Sequence, residues 1–421
     1  MAYTAEAFQN EYLALGATEV DAIVTVTSSG AEGGRRTSGA TEIIIVDCSG
    51  SMQAEGRMAA ARQAAKAAVG CIDDGVHFAI IAGVSTAQQL FPDPGELAVS
   101  TPQTRAEAVR AIDRLQANGG TAMGAWLKLA HRLFGLRPGD IAHAILLTDG
   151  ENGEYGGYLE SVLVEIGGSF TCDCRGVGTN WQVSELRKIA NALLGTVDIV
   201  ARPQDLTAAF EQMMTAAMSK TSGDVQLKVW TPIKSVIRFV KQVEPQVVDL
   251  TGKRVEEGPR TGLYPLGAWG AESRDYHICV QVPAGVAGDE MLAARLSVME
   301  GDTVLTQALV RAVWTGDAAL STRINRQVAH YTGQAELAEA IQAGIEARKH
   351  GDDHTATIKF GRAAQLAHQS GNTATEELLS TVVDIEDAAT GTVRLRRTID
   401  AADEMALDTR STKTVRVGRQ Q

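Results

Sequence analysis

The sequence has few aromatic residues and no apolar run long enough to cross a membrane. Aromatic side chains make up 5% of the 421 residues, so any core must be built mainly from aliphatic and small side chains. The longest apolar runs, at 43–46 and 144–147, are far shorter than the roughly 20 residues that span a bilayer. The N-terminus lacks a basic segment followed by an apolar one, which disfavours a secretory signal. We therefore expect a soluble, cytoplasmic protein with no membrane insertion.

Basic residues and cysteines are also scarce. The chain has 39 Lys and Arg against 51 Asp and Glu, a formal net charge of -12. Nucleic acids and anionic membrane surfaces require a basic face, so binding to nucleic acid is disfavoured. An odd number of scattered cysteines suits reduced thiols better than a disulfide framework, and it agrees with a cytosolic protein. These cysteines are Cys48, Cys71, Cys172, Cys174 and Cys279.

The middle of the chain has the pattern of an α/β domain. From about residue 41 to 220, short β-rich apolar runs alternate with amphipathic stretches at helical spacing. This alternation predicts a doubly wound, mostly parallel sheet covered by helices. The predicted strands are residues 42–47, 76–83, 88–91, 143–149, 170–178 and 196–201. The predicted helices are residues 57–71, 104–115, 121–134, 155–166, 183–194 and 205–219.

The segments on either side of this domain differ from it. Residues 20–27 alternate like a strand but have nothing nearby to pair with, so we predict that they join the β-rich segments after residue 220. The α/β domain is then an insertion in a β-sandwich. Helical spacing returns near the C-terminus and predicts helices at 335–349, 355–369 and 373–388. The predicted domains are sandwich strands at 1–38, the α/β domain at 39–220, the remaining sandwich at 221–318, a helical module at 319–402 and a flexible basic tail at 403–421.

Oxygen-bearing side chains follow two of the predicted strands. Asp47-Cys-Ser49-Gly-Ser51 ends the first strand, Thr121 begins a helix after two glycines, and Asp149 ends the strand from residue 143. Ligands bind at the carboxyl edge of open α/β sheets. Three hydroxyls and two carboxylates are the ligand chemistry of a hard divalent cation. We predict Mg²⁺, with Mn²⁺ or Ca²⁺ as alternatives.

This motif resembles the metal-ion-dependent adhesion site of von Willebrand factor type A domains. The five positions, in order, are Asp47, Ser49, Ser51, Thr121 and Asp149. The resemblance implies that the serines, with the threonine or the second aspartate, contact the metal, and that the other acidic groups act through water. It also implies that the metal binds an Asp or Glu of a partner protein. We therefore predict a non-enzymatic, metal-dependent interaction scaffold or regulatory protein of the intracellular bacterial type.

Alternatives to this interpretation stay open. Asp47, Ser49 and Ser51 could be ordinary cap or turn residues. A Mg²⁺-dependent hydrolase or phosphotransferase could use Asp47 as nucleophile or base, although no Lys, His or second general acid lies in the motif. Some intracellular relatives are regulatory subunits of chelatases or act beside ATPases. This chain has no phosphate-binding loop of the G-x-x-x-x-G-K-[ST] type, so such an ATPase would be a separate polypeptide.

The C-terminal tail gives a second, weaker hypothesis. Thr409, Thr412 and Thr414 stand among basic residues, where phosphorylation would reverse the local charge. A Ser/Thr kinase and a phosphothreonine-binding protein of the FHA type are then expected partners. The alternative is an unstructured tail that only aids solubility.

Overall fold

The computed structural model describes residues 2–29 and 39–417. These residues form two compact units. One contains residues 39–223 and 267–270, and the other contains residues 2–29, 224–266 and 271–417. The predicted domain boundary at residue 38 and the last four residues of the predicted tail lie outside the described residues.

Before it reaches the α/β unit, the chain forms three strands of the other unit. They are β1 (Ala2–Gln9), β2 (Leu13–Ala14) and β3 (Glu19–Ser29). The strands of the α/β unit follow: β4 (Ala40–Asp47), β5 (His77–Gly83), β6 (Ala87–Phe91), β7 (Ala98–Val99), β8 (Ile141–Thr148), β9 (Thr171–Val177) and β10 (Val197–Val200). Its helices are α1 (Arg57–Gly70), α2 (Pro102–Ile112), α3 (Met123–Phe134), α4 (Tyr158–Ile166), α5 (Val183–Ala192) and α6 (Leu206–Met218).

The sheet of the α/β unit runs in the order β10-β9-β8-β4-β5-β6, and β7 also pairs with β5. The pairings from β10 to β5 are parallel, and β6 and β7 are antiparallel to β5. Every residue of the central strand β4 is buried, as expected for a parallel strand that helices cover on both faces. The predicted doubly wound, mostly parallel α/β fold is confirmed.

The position of β4 determines where a ligand can bind. The strand that follows it in sequence, β5, lies on one side, and the later strand β8 lies on the other. Connections therefore leave the sheet in opposite directions beside β4, and this opens a crevice at the carboxyl ends of the strands. Asp47 ends β4, and Asp149 directly follows β8.

The second unit contains a β-sandwich. Its remaining strands are β11 (Ser222–Trp230), β12 (Val236–Glu244), β13 (Val248–Asp249), β14 (Val255–Gly258), β15 (Thr261–Trp269), β16 (Ser273–Gln281), β17 (Glu290–Glu300) and β18 (Thr303–Thr315). One sheet has the order β1-β3-β16-β12-β13, and the other has the order β14-β15-β11-β17-β18-β2. Strand β3 pairs antiparallel with both β1 and β16. The α/β domain is thus inserted between strands of the sandwich, as the isolated alternation of residues 20–27 predicted.

A C-terminal helical module completes this unit. It contains α7 (Ala318–Ser321), α8 (Arg326–Lys349), α9 (Asp353–Ser370), α10 (Thr373–Val382), β19 (Val383–Asp387), β20 (Thr392–Leu395) and α11 (Ala401–Arg410). Ile341, Phe360, Leu379 and Leu407 belong to its core. The helix predicted at 373–388 is wrong beyond Val382, because the β-branched residues after it form a hairpin. Helix α8 also begins nine residues earlier than predicted.

The predicted flexible tail is wrong for the residues that the structure describes. Helix α11 includes Thr409, which is only 2% exposed. Residues 411–417, here called the C-terminal strap, then run beside the end of β12: the amide of Val247 donates to the carbonyl of Thr412 (2.8 Å), and the amide of Thr414 donates to the carbonyl of Pro245 (3.1 Å). The prediction failed because the strap is held by backbone and side-chain hydrogen bonds, which leave no apolar periodicity in the sequence. In the described part of the chain, no helix combines the length and apolarity needed to cross a bilayer.

Candidate metal centre

The loop after β4 is fixed by backbone hydrogen bonds to its neighbours. The amide of Cys48 donates to the carbonyl of Gly83 at the end of β5 (2.7 Å), and the amide of Gly50 donates to the carbonyl of Gly119 (2.9 Å). Gly119 has a φ of +91°, a conformation that glycine adopts without strain. The glycine pair before Thr121 therefore brings the third segment of the predicted site against the Asp47 loop.

A chain of hydrogen bonds connects four of the five predicted ligands. The amide of Ser49 donates to Oδ1 of Asp47 (2.7 Å). The hydroxyls of Ser49 and Ser51 are 2.9 Å apart, and the Ser51 hydroxyl donates to Oδ1 of Asp149 (2.7 Å). Residues that are about 100 positions apart in sequence thus share one polar cluster.

The fifth residue, Thr121, reaches the same place. A Cβ built on Gly150 would lie 3.2 Å from the Thr121 hydroxyl, 3.4 Å from the Ser51 hydroxyl and 3.9 Å from the Ser49 hydroxyl. The three hydroxyls therefore surround one small volume beside Gly150, which a side chain at that position would fill. The structure brings together all five residues that the sequence predicted.

The two carboxylates at the site are fully buried. Burial raises the pKa of Asp47 to about 6, against the lowering effect of hydrogen bonds from Thr148 and Ser49; the negative charge of Asp149 adds to the increase. The like charge of Asp149 repels that of Asp47 and so disfavours ionisation of Asp47. A cation between them would relieve this repulsion.

Sequence reasoning missed two residues that hold these carboxylates. The hydroxyl of Thr148 donates to Oδ2 of Asp47 (2.5 Å), and Arg57 Nη1 donates to Oδ2 of Asp149 (2.9 Å). Arg57 is 5% exposed and is the first residue of α1. A cation is unfavourable at the positive end of a helix, so its position there was a signal that a buried anion lies opposite.

The loop that follows Asp149 is attached to the start of α3. The carboxylate of Glu154 accepts hydrogen bonds from the amides of Gly124 (2.7 Å) and Ala125 (2.9 Å). The side-chain oxygen of Asn152 accepts from the amide of Met123 (3.0 Å). These are the otherwise unpaired amides at a helix N-terminus, where acidic groups are also favoured by the helix dipole. The loop is thereby fixed relative to Thr121, which lies just before this helix.

The residues at this site fit a hard divalent cation. Carboxylate and hydroxyl oxygens are the donors that Mg²⁺ prefers, and here the three hydroxyls lie near one point beside Gly150. Within residues 2–29 and 39–417, no group of three or more His, Cys, Asp or Glu side chains is arranged to hold a metal ion. A metal at this site would therefore depend on the three hydroxyls as well as the two carboxylates.

The fold and the residues at the carboxyl edge of the sheet define a von Willebrand factor A-type protein. Residues 42–199 match the von Willebrand factor type A domain, and residues 365–411 match the von Willebrand factor type A C-terminal domain. A solved structure described as von Willebrand factor type A from Catenulispora acidiphila is 48% identical, with a TM-score of 0.94 over 99% of this chain and 97% of that one. The chain belongs to the von Willebrand factor type A family, whose domains commonly mediate protein–protein interactions.

Two weaker similarities were also found. The ArnB paralog VWA2 from Sulfolobus acidocaldarius is 13% identical, with a TM-score of 0.64 over 98% of each chain, and it shares the fold. An uncharacterised protein from Synechocystis sp. is 26% identical over 216 residues. That match spans 49% of this chain and 49% of the relative, so the chain covers about half the length of the curated relative.

Proposed function

We propose that this protein is a non-enzymatic, cytoplasmic interaction protein that binds an acidic residue of a partner through a divalent cation. Asp47, Ser49, Ser51, Thr121 and Asp149 would hold the cation, and Mg²⁺ is the proposed occupant. The observation that carries the proposal is the convergence of three hydroxyls beside Gly150, between two buried carboxylates. Hydroxyl ligands add no negative charge, so a bound cation would offer a positive coordination position to a carboxylate.

The proposal predicts that binding of a metal depends on these side chains. Mn²⁺, whose free form is measured by electron paramagnetic resonance, is expected to bind the wild-type protein at one site and to be displaced by Mg²⁺. Asp47→Asn and Thr121→Ala should each weaken binding at least about tenfold, since the first removes a negative charge from the site and the second removes a hydroxyl oxygen. Ser161→Ala is a matched control, because the Ser161 hydroxyl donates to the carbonyl of Tyr158 on its own helix. Unchanged binding in both site variants would exclude the proposed ligand set.

The second part of the proposal concerns the partner. Partners captured from a cell extract on immobilised protein should be released by EDTA and recaptured on adding Mg²⁺, and Asp47→Asn should capture none of them. Capture that is indifferent to EDTA would contradict a metal-dependent interaction.

The rival function is a Mg²⁺-dependent hydrolase or phosphotransferase that uses Asp47. Both oxygens of the Asp47 carboxylate accept hydrogen bonds, from the Ser49 amide and from the Thr148 hydroxyl, and a turnover assay tests whether this carboxylate also reacts. Incubation of the protein and Mg²⁺ with phosphoester substrates is expected to give no turnover. Turnover that disappears in Asp47→Asn would favour the enzyme.

Phosphorylation of Thr409, Thr412 or Thr414, with the kinase and the FHA-type reader, stays a prediction. Thr409 is buried in α11, and Thr412 and Thr414 are half-buried. The Thr414 hydroxyl donates to Oε2 of Glu244 (2.6 Å), so a phosphate there would face a carboxylate. Mass spectrometry after treatment with a kinase tests each of the three positions.

A further inference from the structure

Arg57 introduces a buried positive charge beside the candidate metal centre. Its guanidinium donates to Oδ2 of Asp149 (2.9 Å), the oxygen that Ser51 leaves free. The side chains of both members of this ion pair are almost completely shielded from solvent. A buried charge that meets an opposite charge in this way interacts far more strongly than a pair at the surface.

Space for the guanidinium is provided by a glycine at the end of β9. A Cβ built on Gly178 would lie 3.3 Å from Nη2 of Arg57, and the φ of Gly178 is +66°. The amide of Gly178 also donates to the carbonyl of Val200 (3.1 Å). The backbone at this edge therefore accommodates Arg57 in the position that faces Asp149.

The charges at the site can be counted from its buried side chains. Among the residues that the structure describes, the buried charged groups of the site are Asp47, Asp149 and Arg57, with a net charge of -1 when all are ionised. A divalent cation would change this to +1, and one carboxylate from a partner would neutralise it. Without Arg57, the two aspartates alone would already neutralise the cation, and an acidic ligand would gain little from binding.

We propose that Arg57 sets the ligand specificity of this site. By neutralising Asp149, it weakens the attraction for the cation and strengthens the attraction of the cation-loaded site for an acidic side chain. Arg57 is therefore a positioning and charge-setting residue that does not itself ligate the metal. The inference rests on the proposed function, since it requires that a divalent cation binds there.

The test compares Arg57→Gln, which keeps a hydrogen-bond donor but removes the charge, with Arg57→Lys, which keeps the charge. Mn²⁺ alone is titrated first, by electron paramagnetic resonance. The peptide acetyl-Gly-Glu-Gly-amide is then titrated into the Mn²⁺-loaded protein, and its binding is followed by the relaxation rate of water protons. The same peptide with Gln in place of Glu is the control ligand. Near-UV circular dichroism confirms that each variant is folded.

The expected result is a pair of effects with opposite signs. Arg57→Gln should bind Mn²⁺ about tenfold more tightly and the Glu peptide about tenfold more weakly, because the local charge changes by one unit at close range. Arg57→Lys should stay within about threefold of wild type for both, since the charge persists. Lys66→Gln is the matched control and should change neither affinity; Lys66 is also on α1, but it lies nine residues after Arg57 and its Nζ donates to Oδ1 of Asp113.

The outcomes separate this inference from the proposed function. If the wild-type protein binds Mn²⁺ and the Glu peptide but Arg57→Gln weakens both, Arg57 has only a structural role and the inference is overturned while the proposed function stands. If the wild-type protein binds no Mn²⁺, both fail. Should Arg57→Gln not fold, Arg57→Lys decides: retention of Glu-peptide binding supports the inference, and loss of that binding overturns it.

Discussion

Gly150 keeps open the volume around which the three hydroxyls of the site converge. A methyl group there would stand 3.2 Å from the Thr121 hydroxyl, which is closer than most such contacts, so the neighbouring side chain would have to shift. We expect Gly150→Ala to fold, at a cost of about 1–3 kcal/mol for overpacking, and to bind Mn²⁺ at least about tenfold more weakly because a ligand is displaced. Electron paramagnetic resonance measures the affinity, and urea unfolding measures the stability.

Gly156→Ala is the control for this substitution. Gly156 lies in the same loop region, and a Cβ built on it would meet nothing within 4 Å. This variant should match wild type in both measurements. Wild-type affinity in Gly150→Ala would show that the cation does not occupy this volume.

His143 lies in a buried network of charges within the same sheet. Its Nδ1 is 2.7 Å from Oε2 of Glu42, and its Nε2 is 3.1 Å from Oδ2 of Asp173. Burial disfavours the charged imidazole, but the two carboxylates outweigh it and raise the pKa of His143 to about 10. Burial likewise opposes ionisation of Asp173, but its interactions with His143, Arg175 and Thr196 hold its pKa below the usual range. The histidine is thus a charged structural residue.

The raised pKa predicts how stability changes with pH. The pKa of His143 is higher in the folded than in the unfolded chain, so protonated His143 stabilises the fold. This contribution is complete below about pH 6.5 and is lost as the pH rises through about 10. The free energy of unfolding in urea should therefore fall between neutral pH and pH 10. In Glu42→Gln the same fall should begin at lower pH, because one carboxylate no longer favours the imidazolium. His131→Gln, at a histidine that pairs with Ser169, should follow the wild-type curve.

The residues of the site differ in how far the sequence could predict them. The five proposed ligands were predicted because their types, order and positions after strands match a known motif. Thr148 and Arg57 were not, because a hydrogen bond to Asp47 or Asp149 depends on distances that spacing does not reveal. The unfavourable position of Arg57 at a helix start is a physical signal that could have identified it.

At the scale of elements, the C-terminal strap shows where sequence patterns fail. The Gln334 side chain on α8 binds both backbone groups of Val415: its Oε1 accepts from the amide (2.8 Å), and its Nε2 donates to the carbonyl (2.7 Å). Oε1 of Glu244 also lies 3.7 Å from Nε of Arg416. Such polar contacts have no periodicity, so a basic segment with few apolar residues was predicted to be flexible.

Removal of the Gln334 amide tests this attachment. Gln334→Ala should lower the free energy of unfolding by about 1 kcal/mol, because the Val415 amide loses its partner while the Val415 carbonyl keeps its hydrogen bond to Nε2 of His330 (2.7 Å). It should also speed hydrogen exchange at the amides of Thr414 and Val415. Glu339→Ala, at an exposed position of the same helix, should change stability by less than about 0.5 kcal/mol. Slow exchange in the strap of Gln334→Ala would show that other contacts hold it.

At the scale of the whole molecule, the insertion of one domain into another was predictable, but the strand order was not. Residues 20–27 alternate like a strand and have no local partner, which required a partner distant in sequence. Their pairing with β16, rather than with β12 or β17, depends on long-range packing. The alternation specifies which face of a strand is buried, but it does not specify which strand lies beside it.

Because the chain forms two units, we expect a bound metal to stabilise the α/β unit that contains its site and not the other unit. A ligand that binds only the folded state at 100 times its Kd stabilises that state by about 2.7 kcal/mol. Mg²⁺ at that concentration should therefore slow hydrogen exchange about 100-fold for amides of β4 that exchange through unfolding of the α/β unit. Peptides from β16, in the other unit, should exchange at the same rate with Mg²⁺ or EDTA, and in Asp47→Asn neither strand should respond. Protection of β16 equal to that of β4 would show instead that the two units unfold together.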